Sequence, residues 1–195
     1  MLVTPDPEVA ARLRRLREHG MDVSAADRHA SGKTVIEHYV EVGFNYRMTD
    51  IQAAVGLVQL AKMPRLVARR RELAGRYQEL LADIPGLAMI GDPEYGTTNF
   101  QSFWVLLPPD FPVTRDELMQ RLAEAGVSAR RGIMAAHLEP AYAGTAHAPL
   151  PVTERLTSSS LILPLFHQLT ADQQDLIVSV LWAAARSAAL APAPS

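Results

Sequence analysis

"TNFQSFWVLLP", residues 98–108, decides the class of fold. Phe100, Ser102, Trp104 and Leu106 alternate with Gln101, Phe103, Val105 and Leu107, and both sets are partly apolar, the pattern of a strand covered on two sides. Upstream the period is helical. "PRLVARRRELAGRYQELLADIPG" (64–86) sets Leu66, Leu73, Tyr77, Leu80 and Leu81 on one side, and "GLAMIG" (86–91) begins the extended pattern. Downstream, "TRDELMQRLAEAG" (114–126) is a helix with Thr114 as cap and Glu117 closing a capping box, and "VSARRGI" (127–133) is a third strand. "MAAHLEPAYAGTAHAP" (134–149) is loop, "PVTERLTSS" (151–159) a short helix and "SLILPL" (160–165) a fourth strand. "TADQQDLIVSVLWAAARSAAL" (170–190) is a helix opened by the Thr170/Gln173 box, and the tail "APAPS" (191–195) is expected to fray. This order predicts an α+β fold with a small, largely antiparallel sheet and helices on one side.

The residues before 64 do not belong to that sheet. Asp6 caps a helix that begins at Pro7, Val9, Leu13 and Leu16 share a face, and Gly20 offers a left-handed stop. Residues 21–39 show no helical period and read as a loop with one extended piece at Val35-Ile36. In "VGFNYRMTDIQAAVGLVQLAKM" (42–63), Thr49 and Gln52 form a capping box, so a helix starts near Asp50 and Asn45, Tyr46 and Arg47 lie just before it. That helix carries Ile51, Ala54, Val55, Leu57, Val58, Leu60 and Ala61 on more than one face, and so calls for cover from several sides. Pro64 ends it or begins the next. The expected division is therefore 1–63 and 64–195, the first part unable to close a core by itself.

The chain has 195 residues, 48% hydrophobic and 21% charged, which suits a compact domain and excludes a disordered chain. Its formal charge of -2 gives no pull toward nucleic acid or anionic membrane. The arginine run at 69–71 reads as a solvated face paired with Glu72 and Glu79 rather than a nucleic-acid surface, since no aromatics are interleaved. Without cysteine there are no disulfides, thiolate sites or thiol nucleophile. No window is long and apolar enough to span a bilayer, and a cytoplasmic protein is expected. The six histidines have no partners at metal-ligand spacing, so no metal site is expected. Ser158-Ser159-Ser160 lacks the glycine context of a nucleophile elbow.

"GFNYRMTDIQAAVGLVQLAKM" with "RRRELAGRYQELL" resembles the signature of the DegT/DnrJ/StrS-type sugar aminotransferases, pyridoxal-phosphate enzymes of fold type I. "GVSARRGIMAAHLEPAY" and "RLTSSSLILPLFHQLTADQQDLIVSVL" resemble that family's C-terminal portion in order and spacing. The resemblance implies the C-terminal half only: residues 1–63 as the helical end of the large cofactor-binding domain with a dimer-contact helix, and 64–195 as the small domain. It also implies transfer of an amino group from glutamate or glutamine to a nucleotide-linked keto-sugar.

In the family, pyridoxal phosphate is held as a Schiff base by a lysine in the large domain. The two lysines here, Lys33 and Lys62, do not match that segment, so no catalytic lysine is expected in this chain and the cofactor would not be anchored covalently by it. The resemblance makes Asn45 a donor to the cofactor phosphate across a homodimer and Arg47 a second phosphate ligand. His137, Arg130 and Arg131 are the candidates for the nucleotide-sugar. Taken on residue pattern alone, Asn45 is a turn former, Arg47 an ion-pair partner and His137 a satisfied loop histidine. The expected partners are a second copy or a lysine-bearing large-domain half. The competing expectation is a non-catalytic remnant whose Asp50–Lys62 helix only dimerises or binds a full-length relative.

Overall fold

The structure, a computed structural model, describes residues 2–187; the tail at 191–195 lies outside the described residues. The chain forms two compact units, Met1–Ala61 and Lys62–Ser195.

In the first unit, α1 (Pro7–Leu16) starts where Asp6 accepts hydrogen bonds from the backbone N–H groups of Glu8 and Val9. The chain reverses after it through two left-handed residues, His19 at φ 63° and Gly20 at φ 77°. A returning segment then lies along residues 16–21. The Phe44 N–H donates to the Leu16 carbonyl at 2.6 Å, the His19 N–H donates to the Phe44 carbonyl at 2.9 Å, and isolated antiparallel bridges join Glu18 to Asn45 and Met21 to Tyr39. Glu41 fixes the same segment to α1, accepting from Arg12 Nε at 3.0 Å and Arg15 Nη2 at 3.2 Å. Met21 is the one buried hydrophobic side chain described in this unit, so hydrogen bonds and ion pairs, more than a core, give it shape.

Residues 21–39 depart from the sequence expectation. They contain a short helix, α2 (Ala25–Ala30), where only loop is expected, while Val35-Ile36 lie in the loop that follows it. Six residues are fewer than two turns, too few for an apolar face to repeat. What starts the helix is Ser24, whose Oγ accepts the Asp27 N–H at 3.0 Å.

Helix α3 (Asp50–Leu81) begins at the expected box, with the Thr49 N–H donating to Gln52 Oε1 at 2.9 Å and the Gln52 N–H to Thr49 Oγ1 at 3.2 Å. It does not stop or restart at Pro64, which lies inside it. Proline removes one N–H, the donor to the Leu60 carbonyl, and Leu60 is an exposed residue where water can replace that donor. Leu73, Ala74, Tyr77 and Leu81 then bury the later turns. The apolar residues of the earlier turns stand uncovered, with Ile51 79%, Leu57 68% and Leu60 67% exposed.

The second unit carries the expected sheet. Its strands are β1 (Ala88–Met89), β2 (Phe103–Leu106), β3 (Arg130–Arg131) and β4 (Ser160–Leu163), in the order β1-β2-β4-β3 with every pair antiparallel. Phe103 and Val105 of β2 and Leu161 and Leu163 of β4 point to one face and are buried there. They form one core with Leu73, Tyr77 and Leu81 of α3, with Leu118 and Leu122 of α4 (Arg115–Glu124), and with Ile177 and Leu181 of α6 (Ala171–Ala185). Each such side chain contributes about 1.5–3 kcal/mol by leaving water. Both predicted capping boxes, Thr114/Glu117 and Thr170/Gln173, are present, and α5 (Pro151–Ser159) leads directly into β4.

The strand β2 is shorter than its alternation suggests. Phe100 has φ 46°, a left-handed conformation that no strand residue adopts, so pairing begins three residues later. The turn sends both Phe100 and Phe103 into the core, their rings 6.4 Å apart. The arginine face of α3 also differs from expectation. Arg69 pairs with Glu72 as expected, whereas Arg71 reaches Asp92 and Arg76 reaches Asp175, tying the helix to other elements. No helix among the described residues is long and apolar enough to cross a membrane.

Candidate functional site

Asn45 and Arg47 are brought together by the pinned segment of the first unit. The Asn45 backbone is fixed opposite Glu18, and the Tyr46 N–H donates to the Arg17 carbonyl at 2.9 Å. Phe44 and Tyr46 stack with centroids 5.2 Å apart, which leaves Asn45 and Arg47 on the other side of the alternation. Arg47 Nε lies 3.4 Å from Asn45 Oδ1, a long hydrogen bond that orients both groups. The Asn45 amide nitrogen and the two terminal nitrogens of Arg47 donate to nothing among the described residues. Together with Thr49, Asp50 and Gln52 at the start of α3 they line a hollow of 490 Å³.

This donor set suits one phosphate. An amide and a guanidinium offer directed and charge-assisted bonds to its oxygens, and Asp50 is the one carboxylate in the lining that opposes an anion. No lysine and no aromatic ring line the hollow, so the fit is to the phosphate end of pyridoxal phosphate and not to its ring or aldehyde.

The other three candidates lie in the second unit and do not share partners. His137, on a 3-10 turn of the 134–149 loop, has a side chain only 9% exposed, with Nε2 3.2 Å from Glu154 Oε1 of α5. Its ring lies 4.6 Å from that of His147. Arg131 donates from Nη2 to Glu139 Oε1 at 3.1 Å. Arg130, its neighbour on β3, has no ion pair among the described residues and lines a cleft with Gln101 and Ser128. Sequence reasoning missed Glu154 and His147 as partners of His137, because separations of 17 and 10 residues across an irregular loop carry no periodic signal. No group of three or more His, Asp or Glu side chains among the described residues could hold a metal.

A family model described as the DegT/DnrJ/EryC1/StrS aminotransferase family matches residues 1–182. The chain belongs to that family. Among solved structures, TlmJ, an aminotransferase from Streptoalloteichus hindustanus, is 29% identical with a TM-score of 0.77, the match covering 96% of this chain and 47% of TlmJ. DesI, solved in the presence of its TDP-sugar product, is 32% identical with a TM-score of 0.77 over 96% of this chain and 46% of DesI. DesV of S. venezuelae is 30% identical with a TM-score of 0.73 over 93% and 46%. The chain thus spans slightly under half the length of these proteins.

Proposed function

We propose that this chain supplies the C-terminal part of a pyridoxal-phosphate-dependent aminotransferase that acts on a nucleotide-linked keto-sugar in amino-sugar biosynthesis, with glutamate or glutamine as amino donor. Family membership supports the reaction class, and the likeness to DesI supports a nucleotide-sugar. The observation that carries the reading is the pair of unused donors, Asn45 and Arg47, held together beside the start of α3. In this reading residues 1–63 end a large cofactor domain, residues 64–195 are the small domain, and the assembled enzyme is a cytoplasmic dimer.

Pyridoxal phosphate, when bound, supplies the electron sink that makes a carbon-bound proton of the amino donor removable. This chain's share of the work is binding. Asn45 gives a directed N–H to a phosphate oxygen, and Arg47 adds positive charge in a planar fork of donors. Arg131 and His137 act from the segment that includes the 134–149 loop, already oriented by Glu139 and Glu154, so little side-chain freedom is lost when the sugar-nucleotide arrives. The lysine comes from a lysine-bearing large-domain segment.

Coexpression with such a lysine-bearing half tests the proposal. The expected result is a visible absorbance band of bound pyridoxal phosphate and formation of amino-sugar, with Asn45→Ala and Arg47→Gln each weakening cofactor binding about tenfold. If the mixture binds the cofactor no better than the large half alone, the proposal fails. A second reading rests on the uncovered apolar turns of α3: a stable complex without product would mark the chain as a non-catalytic binding partner.

A further inference from the structure

A cleft of 630 Å³ in the second unit lies between the ends of β3 and β4 and the first turns of α6. Its floor is apolar, formed in part by Ile162, Phe166 and Leu176, and its rim carries Arg130, Gln101 and Ser128. Phe166 and Leu176 are 41% and 46% exposed, so the floor is open to solvent. No carboxylate is among the residues that line it, which leaves the Arg130 guanidinium as its single formal charge. That charge has no ion-pair partner among the described residues, although most of the arginines along α3 in the same unit have one.

A second, independent feature directly precedes Gln101 in the chain. Phe100, a bulky residue in the left-handed region, is held there by burial and by the Arg71 guanidinium 5.6 Å above its ring. A conformation this unfavourable persists only where its surroundings enforce it, and such positions concentrate at ligand sites. Here it turns the chain so that Gln101 and Ser102 line the cleft while Phe100 enters the core. Ser102 Oγ donates to Gln101 Oε1 at 3.1 Å, which orients the Gln101 amide and leaves its N–H groups as donors.

We infer that this cleft is a ligand site belonging to the second unit, taking a small molecule with one carboxylate or phosphate carried on a flat apolar body. The volume matches a ligand of that size, the apolar floor takes the body, and Arg130 takes the anion. A planar ring stacks on Phe166, and a guanidinium at the mouth meets an anionic group that remains partly in water. A second anion or a carboxylate-rich peptide finds no further cation in the lining. This goes beyond the aminotransferase reading, since it needs neither the cofactor nor the lysine-bearing half.

The test uses the full chain, ¹⁵N-labelled, titrated with 2-naphthoate, 2-naphthyl phosphate and neutral 2-naphthol. The expected result is saturable binding of the two anions, with amide shifts at Ser102, Gly126 and Ser128, and naphthol at least about tenfold weaker. The tighter of the two anions identifies the anionic group. Arg130→Gln should weaken both anions about tenfold while leaving naphthol unchanged, and Leu176→Asp should weaken all three. Anion binding equal to that of naphthol, binding undiminished in Arg130→Gln, or shifts that fall outside the cleft would each overturn the inference. Retention of the remaining amide spectrum in Arg130→Gln separates loss of the site from loss of the fold.

Discussion

Among the described residues, Gln174 is the buried side chain left with an unpartnered polar atom. It lies on α6 with no exposed surface, its Nε2 donates to the Leu73 carbonyl of α3 at 3.0 Å beside the Tyr77 hydroxyl, and its Oε1 has no partner among the described residues. The Leu73 carbonyl remains in the helical ladder of α3 whatever occupies position 174. Replacing Gln174 by Met keeps the length of the side chain while removing both polar ends. The lost hydrogen bond costs about 1 kcal/mol, and the orphaned acceptor that disappears had cost about 1–3 kcal/mol. The net expectation is a gain of about 1 kcal/mol, read as a higher midpoint in urea with an unchanged slope, followed by far-ultraviolet circular dichroism. Gln174→Ala is the control, expected to lose about 1–3 kcal/mol because it leaves a void beside Leu73 and Tyr77. If Gln174→Met destabilised the chain by more than about 1 kcal/mol, the Oε1 would have a partner worth keeping and the reasoning would be refuted.

Two further outcomes follow from the second unit. Asp92 accepts from Arg71 and, through its other contact, from the Thr98 N–H, and these bonds hold its carboxyl down at about 2 against an ordinary 3.8. A carboxyl lowered in the folded state adds stability that is complete above its unfolded value and disappears as pH falls through the folded one. Asp92→Asn should therefore make the acid loss of stability between about pH 4 and pH 2 shallower than in the parent, as measured by urea midpoints across that range; identical acid limbs would rule the pair out as a contributor. Gly132 leaves no room for a methyl group, because a Cβ there would meet Ser160 Oγ and the Trp104 ring. Gly132→Ala should cost about 1–3 kcal/mol and disturb Trp104 fluorescence, whereas an unchanged emission spectrum and melting temperature would show that β3 shifts freely.

The legible parts of the fold are those whose signals are local. Three capping boxes, at Thr49, Thr114 and Thr170, announce their helices because the two residues that satisfy the free N–H groups stand three apart. The alternation at residues 103–106 announces the central strand for the same reason. What escaped was set by distant contacts. Nothing near Pro64 tells that core packing at Leu73, Tyr77 and Leu81 carries a helix through it, and nothing near Phe100 tells that its backbone turns left-handed. At the candidate site, the adjacency of Asn45 and Arg47 is readable from their spacing of two in an extended segment, and the phosphate-binding role proposed for the pair rests on the family resemblance. The engagement of His137 by Glu154, by contrast, depends on how a 16-residue loop folds back on α5, which no sequence pattern encodes.

The passage of α3 through Pro64 bears on how this chain can be dissected. The boundary between the two units falls between Ala61 and Lys62, inside a continuous helix and not in a linker. Cleavage there would create two fresh helix ends, with unpaired carbonyls on one side and unpaired N–H groups on the other, and no side chain placed to cap either. Thr49 is the natural seam, because the Thr49/Gln52 box already satisfies the backbone at that point. Recombination, gene fusion or laboratory splitting that respects the hydrogen-bond ladder would cut before residue 49 and let the apolar turns of α3 travel with the sheet.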